Sequence, residues 1–307
     1  MTTGFAHEAA IYDGIGGFLD VVVRFVREGV GRGEPTMVAV PADRLGPLRE
    51  ALGDTADLVT FADMEVIGRN PGRIIPAWAD FLDGYGDRPR RGVGEPVWAD
   101  RSAAELEECQ RHERLLNVAF ADAGPFTLLC PYDAATLSAE VVEAVDHSHP
   151  VVARAGVRGP SHSCASMAEM AAPHRHGLPP PPADATSFSF STLDVHEVRL
   201  RVEQAAHAAG LSASAVESLV LSSHEVAMNS IRHGGGQGTL RVWQTRRSVI
   251  VQVDDAGRVS DPLAGRCRPP ITGTGGRGLW MAHQLTDLLQ IRDTAGGTVV
   301  RLHQHLA

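Results

Sequence analysis

Apolar positions in the first 154 residues follow two alternating rhythms. From Gly17 to Glu28 (GFLDVVVRFVRE), Phe18, Val21, Val22, Phe25 and Val26 recur at helical spacing until Gly29 ends the run. Thr36 to Val40 (TMVAV) is a short unbroken apolar run, the pattern of a buried strand, and Pro41 and Asp43 then open a helix that ends near Gly53. Asp57 to Phe61 and Phe126 to Cys130 predict two more strands, and Arg73 to Tyr85, Ala103 to Phe120 and Ser138 to Val145 predict helices. Strands that alternate with helices pair in parallel and carry helices on both faces, so an α/β domain is expected.

The rhythm changes near Ala185. Ser187 to Ser191 (SFSFS) alternates as a strand, and Asp194 can cap a helix that runs through Val198 and Val202 to Gly210. Ser214 and Glu217 have capping-box spacing for a following helix. On that helix Val216, Leu219, Val220, Ser223, Ala227, Ser230 and Ile231 face a sheet, and Glu225, Asn229 and Arg232 fall on another flank. Gly238 to Gln244 and Ser248 to Val253 stand at hairpin spacing, and Leu288 to Arg292 and Thr298 to Leu302 close the pattern, giving an α+β domain. Between the halves, Ala155 to Asp184 is small, polar and broken by Pro179 to Pro182, the composition of a semi-rigid polyproline spacer. The expected organisation is 1–154, a linker over 155–184, and 185–307. His162, Cys164, His174 and His176 fall in that linker, where little fixes ligand geometry, and read as linker residues, not as a metal site.

Composition narrows the function. A net charge of −9 with nothing basic concentrated argues against direct nucleic-acid binding. All 28 basic residues are arginine, so no lysine can form a Schiff base or serve a phosphate-binding P-loop. Cys109, Cys130, Cys164 and Cys267 lack paired spacing, the start of the chain does not read as a signal peptide, and no apolar run approaches bilayer length. The expectation is a cytoplasmic protein without membrane contact.

Glu225 and Asn229, four residues apart, share one helix face. An amide oxygen suits Mg²⁺, and a neighbouring carboxylate can take a proton from an attacking hydroxyl. Asp255 at a strand end can accept a hydrogen bond from an exocyclic amine such as adenine's, and Gly257 lets the base come close. Arg258 to Thr272 suits a lid. Gly273, Gly275, Gly276 and Gly278, with Arg277 among them, open a helix, a natural seat for polyphosphate. These elements, with His233-Gly234 and Gly297-Thr298, resemble the GHKL ATPase superfamily over about Phe188 to Leu302. The short form without a dimerisation helix and the Arg-Gly-Leu-Trp continuation resemble the anti-sigma-factor serine/threonine kinases of bacterial partner switching. That resemblance implies ATP and Mg²⁺ as cofactors, Glu225 as base, Asn229 as Mg²⁺ ligand, Asp255 on adenine, the glycines of 273–278 on phosphates and Thr298 near the base. A lid cation would come from Arg266, Arg268 or Arg277. The implied partners are a sigma factor and/or a STAS-type anti-sigma antagonist that receives phosphate on Ser or Thr. A non-catalytic ATP-binding module that sequesters a sigma factor or another partner is the alternative. A sensor histidine kinase is disfavoured, because no heptad-patterned helix pair fits between Ala155 and Phe188.

In the first half, ligands are expected beyond the carboxyl ends of the strands, near Pro41 to Arg44, Ala62 to Glu65 and Pro131 to Asp133. The glycine cluster Gly29 to Glu34 lacks a Gly-Lys-Ser/Thr ending, precedes its strand, and reads as a plain turn. His7, Tyr12, Cys130, Tyr132 and Asp133 are candidates to line a pocket. A His/Cys/Asp grouping can hold a metal, although a Cys ending an apolar strand is more often simply buried. His7 with Tyr12, Gly68 to Arg73, Gly92 to Trp98, His112 to Asn117, Cys130 to Asp133 and His149-Pro150 resemble the MEDS sensory domain, a shortened relative of the RecA and KaiC fold. The resemblance implies a sensor of a small organic ligand that has lost the phosphate-binding loop. A homodimer remains open.

Overall fold

Strand and helix do alternate through the first half, and they build a seven-stranded sheet in a computed structural model that describes residues 4–174, 177–270 and 276–306. In chain order the elements are β1 Phe5–Tyr12, α1 Gly14–Gly31, β2 Thr36–Val40, α2 Ala42–Leu52, β3 Val59–Asp63, α3 Met64–Ile67, α4 Ile74–Asp83, β4 Arg90–Gly94, α5 Ala103–Ala119, β5 Phe126–Asp133, α6 Ala139–Ala144, β6 Val151–Arg154, β7 Val157–Pro160 and α7 Met167–Met170. The sheet order is β3-β2-β4-β5-β1-β6-β7, parallel throughout except for β7, which runs antiparallel to β6. Phe18, Val22 and Val26 form the buried stripe of α1 and pack with Val38 and Val40 of β2 and Leu48 of α2. Burying each such side chain stabilises by about 1.5–3 kcal/mol.

β1, β4, β6 and β7 were not expected from the pattern. β1 carries His7 and Glu8 in mid-strand, and β4 reads RRGVG. Their polar residues are satisfied by partners outside the strands. Arg91 donates to Glu34 at 2.7 Å and to the Phe25 carbonyl at 2.9 Å, and Arg90 donates to the Leu82 and Gly86 carbonyls. Gly92 is required by packing, since a Cβ there would lie 2.9 Å from both Trp78 and Leu128.

The chain divides into two compact units, Met1–Ala171 and Ala172–Ala307. The segment that composition marks as linker is therefore structured in its first part: β7 pairs with β6, and Ser166 and Glu169 form a capping box for α7, whose Met170 is buried. In the second unit, Pro179 accepts a 2.7 Å hydrogen bond from Arg301.

The second unit holds β8 Thr186–Ser191, α8 Val195–Ala208, α9 Ala213–His233, β9 Gln237–Gln244, β10 Ser248–Asp255, α10 Arg277–Leu285, β11 Leu288–Thr294 and β12 Gly297–His305. Its five strands are all antiparallel, in the order β11-β12-β10-β9-β8. Val198 and Val202 of α8 and Leu219 and Val226 of α9 share one core with Val251 of β10 and Leu302 of β12. α9 is capped by Ser212, whose oxygen accepts from the Ala215 N–H, two residues before the expected Ser214. Among the described residues no helix is long and apolar enough to cross a membrane.

Replacing Gly92 by Ala should destabilise the first unit by about 1–3 kcal/mol, the usual cost of overpacking, and lower its urea midpoint without changing the m-value.

Candidate functional site

α9 brings Glu225 and Asn229 to the foot of α10, both half-buried. A Cβ on Gly278 would stand 2.8 Å from Glu225 Oε2 and 3.5 Å from Asn229 Nδ2, so glycine there lets α10 approach without displacing the Glu225 carboxylate. Asn229 lines a cavity of about 540 Å³ together with Asp255, Gly257, Gly276, Gly278 and Thr298. That volume lies within the usual range for small-molecule sites. Glu225 stands beside Gly278 at the cavity's edge, outside its lining.

Asp255 is held in place at the end of β10. Its Oδ2 accepts from Ser230 Oγ at 2.6 Å and its Oδ1 from the Gly257 N–H at 2.7 Å. Register places it opposite Thr298, whose hydroxyl donates to the Gly257 carbonyl at 3.0 Å. Three glycines crowd around it. A Cβ on Gly234 would lie 2.4 Å from Asp255 Cγ, one on Gly257 2.9 Å from Asp255 Oδ1, and one on Gly297 1.8 Å from the Asp255 carbonyl oxygen. An ionised carboxylate has about four lone-pair sites, so two remain for an exocyclic amine after these bonds. Ser230 was assigned to the core face; the signal for its role was a hydroxyl on an otherwise apolar stripe.

The lid arginines separate by position. Arg268 is exposed and lines the cavity, Arg266 is buried, and Arg277 is exposed in the first turn of α10 but outside the lining. Arg258 also lines the cavity and is tied to Asp293 at 2.8 Å and to the Thr294 and Ala295 carbonyls. Gly273 and Gly275 lie outside the described residues. Gly276, at φ +80°, caps α10 and faces the cavity, which brings the positive end of a nine-residue helix to it.

In the first unit the five pocket candidates fall into separate groups. Side chains alternate faces along a strand, so His7 and Tyr12, five residues apart, point to opposite sides of the sheet, as do the adjacent Tyr132 and Asp133. Toward α5, His7 Nε2 lies 3.1 Å from Glu113 Oε2 and 3.3 Å from Cys130 Sγ. The His149 ring packs on His7 with centroids 4.1 Å apart and edge-on to Tyr132 at 5.7 Å. Toward α1 and α2, Tyr12 donates to Glu95 at 2.6 Å, and Arg44 bridges Glu95 at 3.3 Å and Asp133 at 3.1 Å. Asp133 also accepts from the Gly14 N–H at 3.0 Å. Gly14, at φ +61°, begins a glycine-rich turn, Gly14-Ile-Gly-Gly, directly after β1. This is the first turn of α1, and the Asp133 carboxylate takes its leading N–H. The turn went unrecognised because β1 itself was not expected.

Charge in both groups follows burial. Burial pushes the Cys130 and Tyr132 hydrogens to be held well above their ordinary range, with the Glu113 charge adding to both. Burial also opposes ionisation of Glu113, but hydrogen bonds from His149 and His7 outweigh it and hold the carboxyl below its usual range. For Asp133, burial is likewise outweighed, by the Gly14 N–H and Arg44, and its carboxyl is held low. Glu95 goes the other way: burial outweighs Arg44 and lifts it to about 8.

The second unit thus has the make-up of a nucleotide-binding sandwich, and the first that of a mostly parallel α/β domain. Residues 188–303 match the family described as histidine kinase-like ATPase domain. Residues 6–150 match the family described as MEDS, the methanogen/methylotroph DcmR sensory domain. The chain therefore carries a MEDS domain followed by a histidine kinase-like ATPase domain, and an ATPase domain of this kind implies ATP binding. No curated protein matches the chain.

Glu95 supplies a pH test. Its native value near 8 lies above the ordinary 4.5, so the folded form keeps a proton that the unfolded chain releases. The stability this contributes is complete below about 4.5 and is lost as pH rises through about 8. Relative to Glu95→Gln, the wild type should lose stability over that window by on the order of a few kcal/mol. Urea unfolding followed by fluorescence of the buried Trp78 reads it, and parallel pH profiles for the two proteins would refute it.

Proposed function

We propose that the second unit binds Mg²⁺-ATP and transfers its terminal phosphoryl group to a serine or threonine of a partner protein, under control of a small-molecule sensor formed by the first unit. The reading rests on one observation above the others: Asn229 lines, and Glu225 borders, a cavity that has Asp255 on its floor and the α10 N-terminus at its side. Bound Mg²⁺-ATP would supply the phosphoryl group and neutralise part of its charge. Asn229 would hold the Mg²⁺ through its amide oxygen, Asp255 would accept from the adenine amine, and Thr298 would stand near the base. Gly276 and Gly278, with the α10 N-terminus, would face the phosphates, and Arg268 is the lid cation best placed toward them. Glu225 would accept the proton of the attacking hydroxyl as its oxygen bonds to phosphorus and the bond to ADP breaks. The partner chemistry we favour is a STAS-type anti-sigma antagonist as phosphate acceptor, with a sigma factor as the protein held in the alternate state, in the cytoplasm. The finer likeness of the first unit to RecA and KaiC folds belongs to the same proposal.

A second reading, a non-catalytic nucleotide module that sequesters its partner, draws on the position of Glu225 outside the cavity lining. The two part on substitution. Asn229→Ala should abolish Mg²⁺-ATP binding in calorimetry. Glu225→Gln should bind normally but transfer radiolabelled phosphate to the antagonist about 100- to 10,000-fold more slowly, the range a general base contributes. Wild-type transfer by Glu225→Gln removes the assigned base, and bound nucleotide with no labelled partner in the wild type establishes the second reading.

A further inference from the structure

Four ligand-type side chains from four separate parts of the first unit meet in its interior: His7 on β1, Glu113 on α5, Cys130 on β5 and His149 in the turn before β6. None is more than 2% exposed. One ligand atom from each lies within 4.8 Å of all the others. The closest separations are 3.1 Å from His7 Nε2 to Glu113 Oε2, 3.3 Å from His7 Nε2 to Cys130 Sγ, and 3.2 Å from His149 Nε2 to Glu113 Oε2. Around a tetrahedral Zn²⁺ with bonds of about 2.0–2.3 Å, neighbouring ligand atoms stand roughly 3.3–3.6 Å apart. The closest pairs would open by a few tenths of an ångström around the ion, and any pair near the 4.8 Å limit would draw in by about 1 Å.

The orientation of His149 suits a metal-ligating imidazole. Its Nδ1 lies 2.9 Å from the Val145 carbonyl oxygen, which can only accept, so Nδ1 is the donor there and Nε2 is the nitrogen turned toward the cluster. A carbonyl fixing the outer nitrogen of a ligating imidazole is the usual support for a metal-bound histidine. Asn117 of α5 donates to the Ser148 carbonyl at 2.8 Å and ties this turn to the helix that carries Glu113. The His149 Nε2 stands 3.2 Å from Glu113 Oε2, on the cluster side of the ring.

The charges also balance. The Cys130 thiol would release its proton to solvent as sulfur bonds the metal, and thiolate and Glu113 carboxylate together cancel a dication. No net charge is left in the interior, where one would cost several kcal/mol. Two imidazoles, one thiolate and one carboxylate suit a borderline cation and are a poor match for Mg²⁺ or Ca²⁺, which prefer an all-oxygen shell. We propose that His7, Glu113, Cys130 and His149 form a buried binding site for a single Zn²⁺-class divalent ion. This inference is independent of the nucleotide reading of the second unit.

The test uses the full chain stripped with a chelator and titrated with Co²⁺, then with Zn²⁺ against a chromophoric competitor. One equivalent of Co²⁺ should give a thiolate-to-metal charge-transfer band and the intense visible absorption of a four-coordinate site, both bleached by Zn²⁺. Cys130→Ser should lose the charge-transfer band, and Cys164→Ser and Cys267→Ser should keep it. His149→Gln should weaken Zn²⁺ binding by more than about 100-fold, beyond what loss of a supporting partner costs. A wild-type titration without the band, or a band that survives Cys130→Ser, overturns the site. The wild-type titration needs no variant, so the proposal stays decidable even if a substituted chain fails to fold.

Discussion

A carboxylate taken out of water must be answered by donors or by positive charge, and each cluster in this protein is built around one that is. Asp255 is answered by the Ser230 hydroxyl and the Gly257 N–H, and the glycines around it are fixed by its bulk. Asp133 is answered by the Gly14 N–H and Arg44. Glu113 is answered by two imidazoles. Glu95 receives the least for its depth: the Tyr12 hydroxyl and a shared Arg44 do not offset burial, and the group keeps its proton to about 8. Arg44 is held charged by the same pair, because it is only partly buried and has Asp133 as a second partner.

The same constraint governs what could be read from the chain. Where polar and apolar positions are sorted by local periodicity the elements were legible, α9 to within a residue or two and α1 to within three at each end, since Gly29 lies inside α1 instead of stopping it. β1 and β4 were not, because His7, Glu8 and Arg91 look unfit for a buried sheet until their partners Glu113, Arg158 and Glu34 arrive from 106, 150 and 57 residues away. No window along the sequence contains those answers. Missing β1 carried a second loss, since the glycine-rich turn after it has meaning only once the strand before it is known.

The five residues grouped as one pocket illustrate a different limit. His7, Tyr12, Cys130, Tyr132 and Asp133 are near one another along β1 and β5, which pair in parallel with Ala9 beside Cys130 and Tyr12 beside Asp133. Neighbourhood in the sheet does not mean a shared face, and the period of two sends them to opposite sides. The ligand-type residues that complete the inner group, Glu113 and His149, belong to a helix and a turn. Their meeting depends on α5 lying across the sheet, which Asn117 helps to hold against the His149 turn.

Among the described residues, Gly14 and Gly276 stand at positive φ at the start of α1 and α10, and the two helix starts differ in what meets them. Gly14, at φ +61°, gives its N–H to Asp133, a carboxylate fixed on the neighbouring strand. A phosphate entering there would have to displace an anion that Arg44 and the Ala135 N–H also hold. Gly276, at φ +80°, opens α10 onto a cavity of about 540 Å³ with Arg268 in its wall. A helix N-terminus attracts an anion wherever it is free to do so. In the first unit that attraction is satisfied from within the fold and serves stability; in the second it faces open space of nucleotide size. The absence of lysine from the chain therefore does not by itself exclude phosphate chemistry, because backbone N–H groups and arginine can serve it, and the side chain at Asp133 decides which of the two turns is closed.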